Sequence, residues 1–337
     1  MNAAVTPLPP LRRFGWLLRR EFWEHRTGVL YAPLVAGGLA LLLTAIGMVT
    51  AVLLGRNASG QVDMNGETIT LNGLDLAALA SRMGPADYGQ LADVLNMTLL
   101  LAAFWPLLVM AFVVFFYCLG ALYDDRRDRS ILFWKSLPVS DLATVLSKLA
   151  TALLVAPLLA ILASALTVAG YLALMMAGVA WAGADPITLV WQPARPLALL
   201  GNLLLSLPAY ALWALPTAGW LLLCSAFARR VPFLWAVVVP VLGGALLSAS
   251  GLVGMTGLGH AALWRDGIAR LLLGTMPGMT ELYLPDAAGQ DQAALSNLFS
   301  ASHAFAPLSL PALWIGAVFG LACVAGAVWL RRRSDDS

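Results

Sequence analysis

The chain has 337 residues, 60% of them hydrophobic and only 11% charged, with a formal charge of +2 and a mean hydropathy of +0.82. A water-soluble domain carries about a quarter charged residues, so this chain lacks the polar groups to cover itself in water. A soluble globular protein is excluded, nothing points to a nucleic-acid partner, and the expected class is an all-α integral membrane protein.

Residues 1–28 read as a cytoplasmic arm. In "LRRFGWLLRREFWEHR", Leu11, Phe14, Leu18 and Phe22 recur at helical spacing, with Arg12, Arg13, Arg19 and Arg20 beside them and Trp16 and Trp23 as interfacial rings. This pattern predicts an amphipathic helix on the inner leaflet, its guanidinium groups at lipid phosphates. The same helix is placed to act as a lever on a cytoplasmic partner.

A bilayer core is crossed by about 20 apolar residues in helical form. Six runs reach that length: 29–54, 99–122, 142–179, 197–228, 231–256 and 308–330. They make residues 29–337 a six-span transmembrane domain. The first run is too long for the apolar part of a signal peptide and reads as an uncleaved span. The third and fourth are overlong and must tilt or extend past the hydrocarbon. Pro106, Pro157, Pro208, Pro216 and Pro240 lie inside the runs. They mark kinks, because neighbouring helices satisfy the backbone groups that proline frees. Gly316 and Gly320 form a GxxxG pattern, expected to pack helices within one protomer.

Two long connections face outward. Residues 55–98 carry a short predicted helix near 86–95. Residues 257–307 contain "GHAALWRDGIARLLLGTM", in which Leu263, Ile268, Leu271 and Leu272 oppose His260, Arg265, Asp266 and Arg270. That segment predicts an amphipathic helix at the outer face. Of the 20 Lys and Arg residues, the arm holds five and the connection after the second run another five. Arg229 and Arg230 follow the fourth run, and Arg331, Arg332 and Arg333 follow the sixth. Arg56, Arg82, Arg195, Arg265 and Arg270 remain for the other side. The positive-inside rule then puts both termini in the cytoplasm, which agrees with an even number of spans.

Several chemistries lack their residues. Cys118, Cys224 and Cys323 lie in apolar runs and read as small hydrophobes. His25, His260 and His303 sit on different segments without metal-ligand spacing. Lys135 and Lys148 are the only lysines and neither follows glycine, so the phosphate-binding loop of an ATPase is missing. The spans carry almost no ionisable groups, which disfavours ion coupling. Asn202, Ser206, Thr217 and Ser225 are the polar residues of the fourth run. Interhelical hydrogen bonding is their simpler reading; contact with a transported substrate is the sharper one, with Asn202, Ser206 and Thr217 as its residues.

The most charged short stretch is Tyr123–Lys148, "YDDRRDRSILFWKSLPVSDLATVLSK". Asp124 and Arg127 are spaced i,i+3, and Asp125 and Arg129 i,i+4, which favours a helix. Pro138 disfavours helical geometry in Leu137. Ser140 is a good N-cap and Asp141 suits the positive end of the next helix. Between them a short helix lies across the cytoplasmic mouth and exposes Ile131, Leu132, Phe133 and Trp134 beside charges, the composition of an interface hot spot.

This stretch resembles the first cytoplasmic loop of ABC-2 type transporter permeases. Asp125-Arg126-Arg127-Asp128 matches the family's acidic–basic cluster, Pro138-Val139-Ser140 its turn and Lys148 its later lysine. Arg129-Ser130 stands where the family has Gly-Thr. The order of basic arm, six spans and long outer segment before the sixth matches as well. The resemblance implies a dimer, homomeric or pseudo-homomeric, with its seam at the second and fifth spans. It implies a separate P-loop ATPase that holds ATP and Mg, while this chain binds no cofactor. The loop becomes a cytoplasmic coupling helix between the second and third spans, in a bacterial inner membrane. The rival readings are an intramembrane enzyme, a protease or lipid-modifying enzyme, and a regulatory membrane component that transports nothing.

Overall fold

The computed structural model describes residues 10–55, 59–64, 67–72, 76–127, 140–250, 259–284 and 301–333. Among them, five helices are long and apolar enough to cross a membrane: Arg12–Leu54, Pro85–Arg127, Asp141–Trp181, Leu207–Phe227 and Pro311–Arg333. The chain is a helical, multi-pass membrane protein. Among the described residues, the exception to the helical rule is a hairpin in the segment between the first two spans, β1 (Ser59–Met64) against β2 (Glu67–Asn72), antiparallel with Ser59 opposite Asn72.

The arm and the first span are one rod. Helix α1 (Pro10–Arg26) runs through a π-helical turn, Thr27–Tyr31, into α2 (Ala32–Gly55). The break in α1 geometry is at His25, with φ −110° and ψ 15°. A short helix α3 (Leu76–Ala80) precedes α4 (Pro85–Arg127). The short helix expected near 86–95 is the N-terminal end of α4, not a separate piece. At about 1.5 Å per residue, the 43 residues of α4 span roughly twice the hydrocarbon core. Helix α5 (Asp141–Ala150) passes through the π turn Thr151–Val155 into α6 (Ala156–Trp181).

The fourth run is divided. Helix α7 (Pro196–Leu205) ends at Ser206, and α8 (Leu207–Phe227) starts with Pro208 in its first turn. Pro208 therefore starts a helix where the sequence suggested a kink inside one. The fifth run appears as the π turn Leu234–Val238 and α9 (Val239–Ala249), together a shorter apolar helix. Its expected end, 250–256, falls almost wholly outside the described residues. The connection before the last helix contains α10 (His260–Ala262), a π-helical stretch Leu263–Ala269 and α11 (Arg270–Leu273). After α12 (Ala301–Phe305), α13 (Pro311–Arg333) closes the chain.

The prolines explain the widened turns. Thr27–Tyr31, Thr151–Val155, Ile187–Trp191 and Leu234–Val238 each end two residues before a proline, at 33, 157, 193 and 240. A proline ring has no N–H and clashes with the carbonyl of the fourth residue before it. Opening that turn to i→i+5 bonding relieves the clash without breaking the rod.

Packing is closest where side chains are smallest. A Cβ on Gly320 of α13 would lie 2.7 Å from the Leu215 carbonyl carbon and 2.8 Å from Pro216 N on α8; one on Gly219 would lie 2.6 Å from Gly320 O. The GxxxG face thus holds α13 against α8 within one chain, as its small residues suggest. The outward face of α2 exposes Val35, Leu39, Leu42, Leu43 and Ile46, the surface that a lipid tail covers.

Candidate functional site

Two polar features stand out, at opposite ends of the bundle. The first is a buried charge chain at the end where the arm, α4, α5 and α13 meet. Glu21 (1% exposed) and Lys148 (2%) are nearly inaccessible. Lys148 Nζ lies 3.2 Å from Glu21 Oε1 and 3.5 Å from Asp125 Oδ2. Arg331 Nη1 shares Asp125 Oδ2 at 3.2 Å, and its Nε reaches Asp141 Oδ1 at 3.0 Å. The Tyr117 hydroxyl donates to Glu21 Oε2 at 2.9 Å. The order is Tyr117–Glu21–Lys148–Asp125–Arg331–Asp141, and it stitches four helices together. Burying ions is costly unless each finds a partner, so these groups hold a single register among the four.

The helix geometry delivers each member. Leu17 and Glu21 are one helical turn apart and form the arm's buried face. Of the predicted stripe, Phe14, Leu18 and Phe22 lie to one side of that face and are only partly buried. Arg12 and Arg19 are exposed; Arg13 and Arg20 are half-buried. Arg19 stacks over Trp16 and Arg20 pairs with Glu24 at 3.1 Å. Ser140 Oγ accepts from Ala143 N at 3.2 Å, capping α5 and presenting Asp141 in its first turn.

Asp125 and Arg126, expected at an ATPase surface, point into the chain. Arg126 Nη2 donates to Ser225 O at 2.5 Å and to Ala228 O at 2.9 Å, satisfying the carbonyls at the end of α8. Ser225 Oγ in turn accepts from Leu122 N and Tyr123 N. Arg127 is exposed at the end of α4. Asp128, Arg129, Ile131, Leu132, Phe133, Trp134 and Pro138 lie outside the described residues, and so does the expected coupling helix. What is described is its mounting: α4 on one side, α5 on the other, each held by the charge chain.

The second feature is a cavity of about 390 Å³ in the other half of the bundle, between α4, α6, α7, α8, residues 276–281 and residues 303–307. Leu100, Phe104, Leu107, Ile161 and Leu203 are among its lining. Asn202, on α7, and Ser206, at the α7–α8 break, face it. Glu281 and His303 stand at its edge, with His303 Nε2 3.0 Å and 2.9 Å from the two carboxylate oxygens. Tyr210 donates to Thr275 O at 3.2 Å, and Ser206 Oγ to Leu203 O at 3.0 Å.

Thr217 is not part of this cavity. It is fully buried; its hydroxyl donates to Arg270 O at 3.2 Å and accepts from Gly274 N at 3.1 Å. Interhelical bonding, the simpler reading, describes Thr217; the substrate-path grouping holds in space for Asn202 and Ser206 only. Arg270 departs further from expectation. It is buried, its Nη1 donates to Trp213 O at 2.8 Å and its guanidinium lies 3.2 Å from the Trp213 ring centre. Burial pulls its pKa down to about 10. Arg270 begins α11 just after the π-helical stretch and is held inward by Trp213, whereas Arg265 stays outside, paired with Asp266 at 2.8 Å.

No family model matches this chain, and neither a curated protein nor a solved structure does. The site is therefore read from its own residues. Among those described, no three His, Cys, Asp or Glu side chains gather at a metal-binding spacing.

Glu21, Arg331, Glu281 and His303 belong to these two features, and sequence reasoning assigned none of them to a site. For Glu21 a signal existed: it falls four residues after Leu17, on the same face of the arm. For Glu281 and His303, 22 residues apart, there was none.

Proposed function

We propose that the chain is the membrane-spanning permease subunit of an ATP-driven exporter of the ABC-2 type, coupled to a separate P-loop ATPase. In this reading Leu234–Ala249 belongs to a sixth span. Both termini face the cytoplasm of a bacterial cell, and the protein works as a dimer in the inner membrane. The observation that carries the reading is the buried charge chain. It fastens both ends of the 128–139 segment, through Asp125 on one side and Asp141 and Lys148 on the other, to the arm and to α13. A push on that segment would thus move four helices as one body. Such a mounting suits a segment that takes force from a motor, and the lack of a phosphate-binding lysine fits a division of labour.

Co-purification in mild detergent tests it. An ATPase subunit should accompany the wild-type chain. Changing Phe133 and Trp134 together to Ala should release it, since losing a hot-spot anchor costs about 2 kcal/mol or more, roughly thirtyfold in affinity. ATPase retained at the wild-type level on the double variant would sink the reading.

A further inference from the structure

The cavity beside Asn202 and Ser206 has chemistry of its own. We infer that it binds a single-chain amphiphile with an apolar body of roughly a dozen carbons and a cationic amine head, the head at Glu281.

Size sets the body. A cavity of about 150 Å³ takes up benzene; this one measures about 390 Å³, room for two to three times that hydrocarbon. It also falls within the range of small-molecule pockets, about 300–1,000 Å³. The walls set the polarity. They are Leu, Ile, Ala, Phe, Met and Pro for the most part. Of the four Asn, Ser, Thr and Tyr side chains in them, Ser206 is spent on Leu203 O and Tyr210 on Thr275 O, and Asn202 and Thr280 are scattered polar points. A ligand's body therefore meets hydrocarbon over most of the wall.

The rim sets the charge. The lining includes one carboxylate, Glu281, and no Lys or Arg. The Glu281 side chain is 41% exposed, so a head group can reach it. His303 Nε2 approaches both oxygens, and a single N–H cannot fill the four or so lone-pair positions of a carboxylate. Room remains for an ammonium to donate. Of the other cations on this segment, Arg265 is exposed and paired with Asp266. Arg270 is buried against Trp213, its Nη2 without a hydrogen bond among the described residues, but it is not part of the cavity lining, so neither presents its charge to a head group at Glu281. The carboxylate repels a sulfate or carboxylate head.

This inference stands on the cavity alone and holds whether or not the chain is a permease. The test uses the full chain in nanodiscs without any ATPase, with a diazirine-bearing dodecylamine as the probe. Cross-linked peptides should map to residues 199–213, 276–283 and 303–307. Unlabelled dodecylamine should compete, and dodecyl sulfate and dodecanol should compete at least about twofold less well, the margin of a partly exposed ion pair. Leu203→Trp, which fills the cavity, should abolish the competed labelling, with a thermal unfolding scan to verify that the variant is folded. Glu281→Gln should keep the fold and the labelling but weaken the amine about two- to fivefold, again the range for a partly exposed ion pair, erasing its advantage over dodecanol. Labelling spread over the lipid-facing helices without competition would overturn the site. Equal competition by dodecyl sulfate, or an unchanged preference in Glu281→Gln, would overturn the head-group assignment.

Discussion

Replacing Lys148 with Met is the sharpest test of the charge chain. Met keeps an unbranched apolar stem but removes the ammonium between Glu21 and Asp125. Removing one partner of a buried ion pair costs about 3–5 kcal/mol, because the other charge is left uncompensated. Here Asp125 keeps Arg331 at 3.2 Å and Glu21 keeps the Tyr117 hydroxyl at 2.9 Å, so the loss should sit near the lower end, about 3 kcal/mol. Each kcal/mol moves the midpoint by roughly 2 °C in a large single domain, giving a drop of about 6 °C in thermal unfolding of the purified chain. The second arm is Lys148→Met combined with Glu21→Gln. That variant carries neither charge, the amide that replaces the Glu21 carboxylate can still accept from Tyr117, and the Asp125–Arg331 pair is untouched. It should recover at least about 2 kcal/mol relative to the sum of the single changes, a coupling within the range for residues in one network. A Lys148→Met chain that unfolds at the wild-type temperature would refute the argument. So would a double variant whose loss is the plain sum of the two.

Gly320→Ala should destabilise the chain by about 1–3 kcal/mol, because the new Cβ would sit 2.7 Å from the Leu215 carbonyl carbon, and backbone cannot swing aside. Gly15→Ala, which meets nothing within 4 Å, should leave the midpoint level or slightly raised; similar losses for the two would discredit the close-packing account. Thr217→Val leaves Gly274 N without its acceptor and should cost about 1–3 kcal/mol, whereas Thr217→Ser should recover most of it. An equal loss in both variants would point to packing and not to the hydroxyl. For orientation, a cysteine at Ser59 or Gln290 should react with an impermeant reagent from outside and one at Ser140 should not. The reverse pattern would invert the proposed topology.

Composition and run length alone determined the membrane class and the approximate place of the rods, since burying apolar residues in lipid needs only their number and continuity. The Ser140 cap and the start of α5 were equally legible, because a capping hydroxyl acts on a backbone N–H three residues away. What the sequence could not decide was phase and partnership. Proline positions were visible, but whether a proline widens a turn, as at 157, or begins a helix, as at 208, depends on what packs against it. Arg270 reads as the polar side of an amphipathic helix, but its partner is the Trp213 ring and carbonyl 57 residues away, which no local spacing reveals. Asp125 was paired with Arg129 on local spacing; its partners in space, Lys148 and Arg331, come from 23 and 206 residues away. Electrostatic pairing acts over a few ångströms and is indifferent to chain separation. Only the packing of α1, α4, α5 and α13 could therefore turn scattered charges into one connected chain, and only the packing of α7 beside residues 276–281 and 303–307 brings Asn202 to the same cavity as Glu281 and His303.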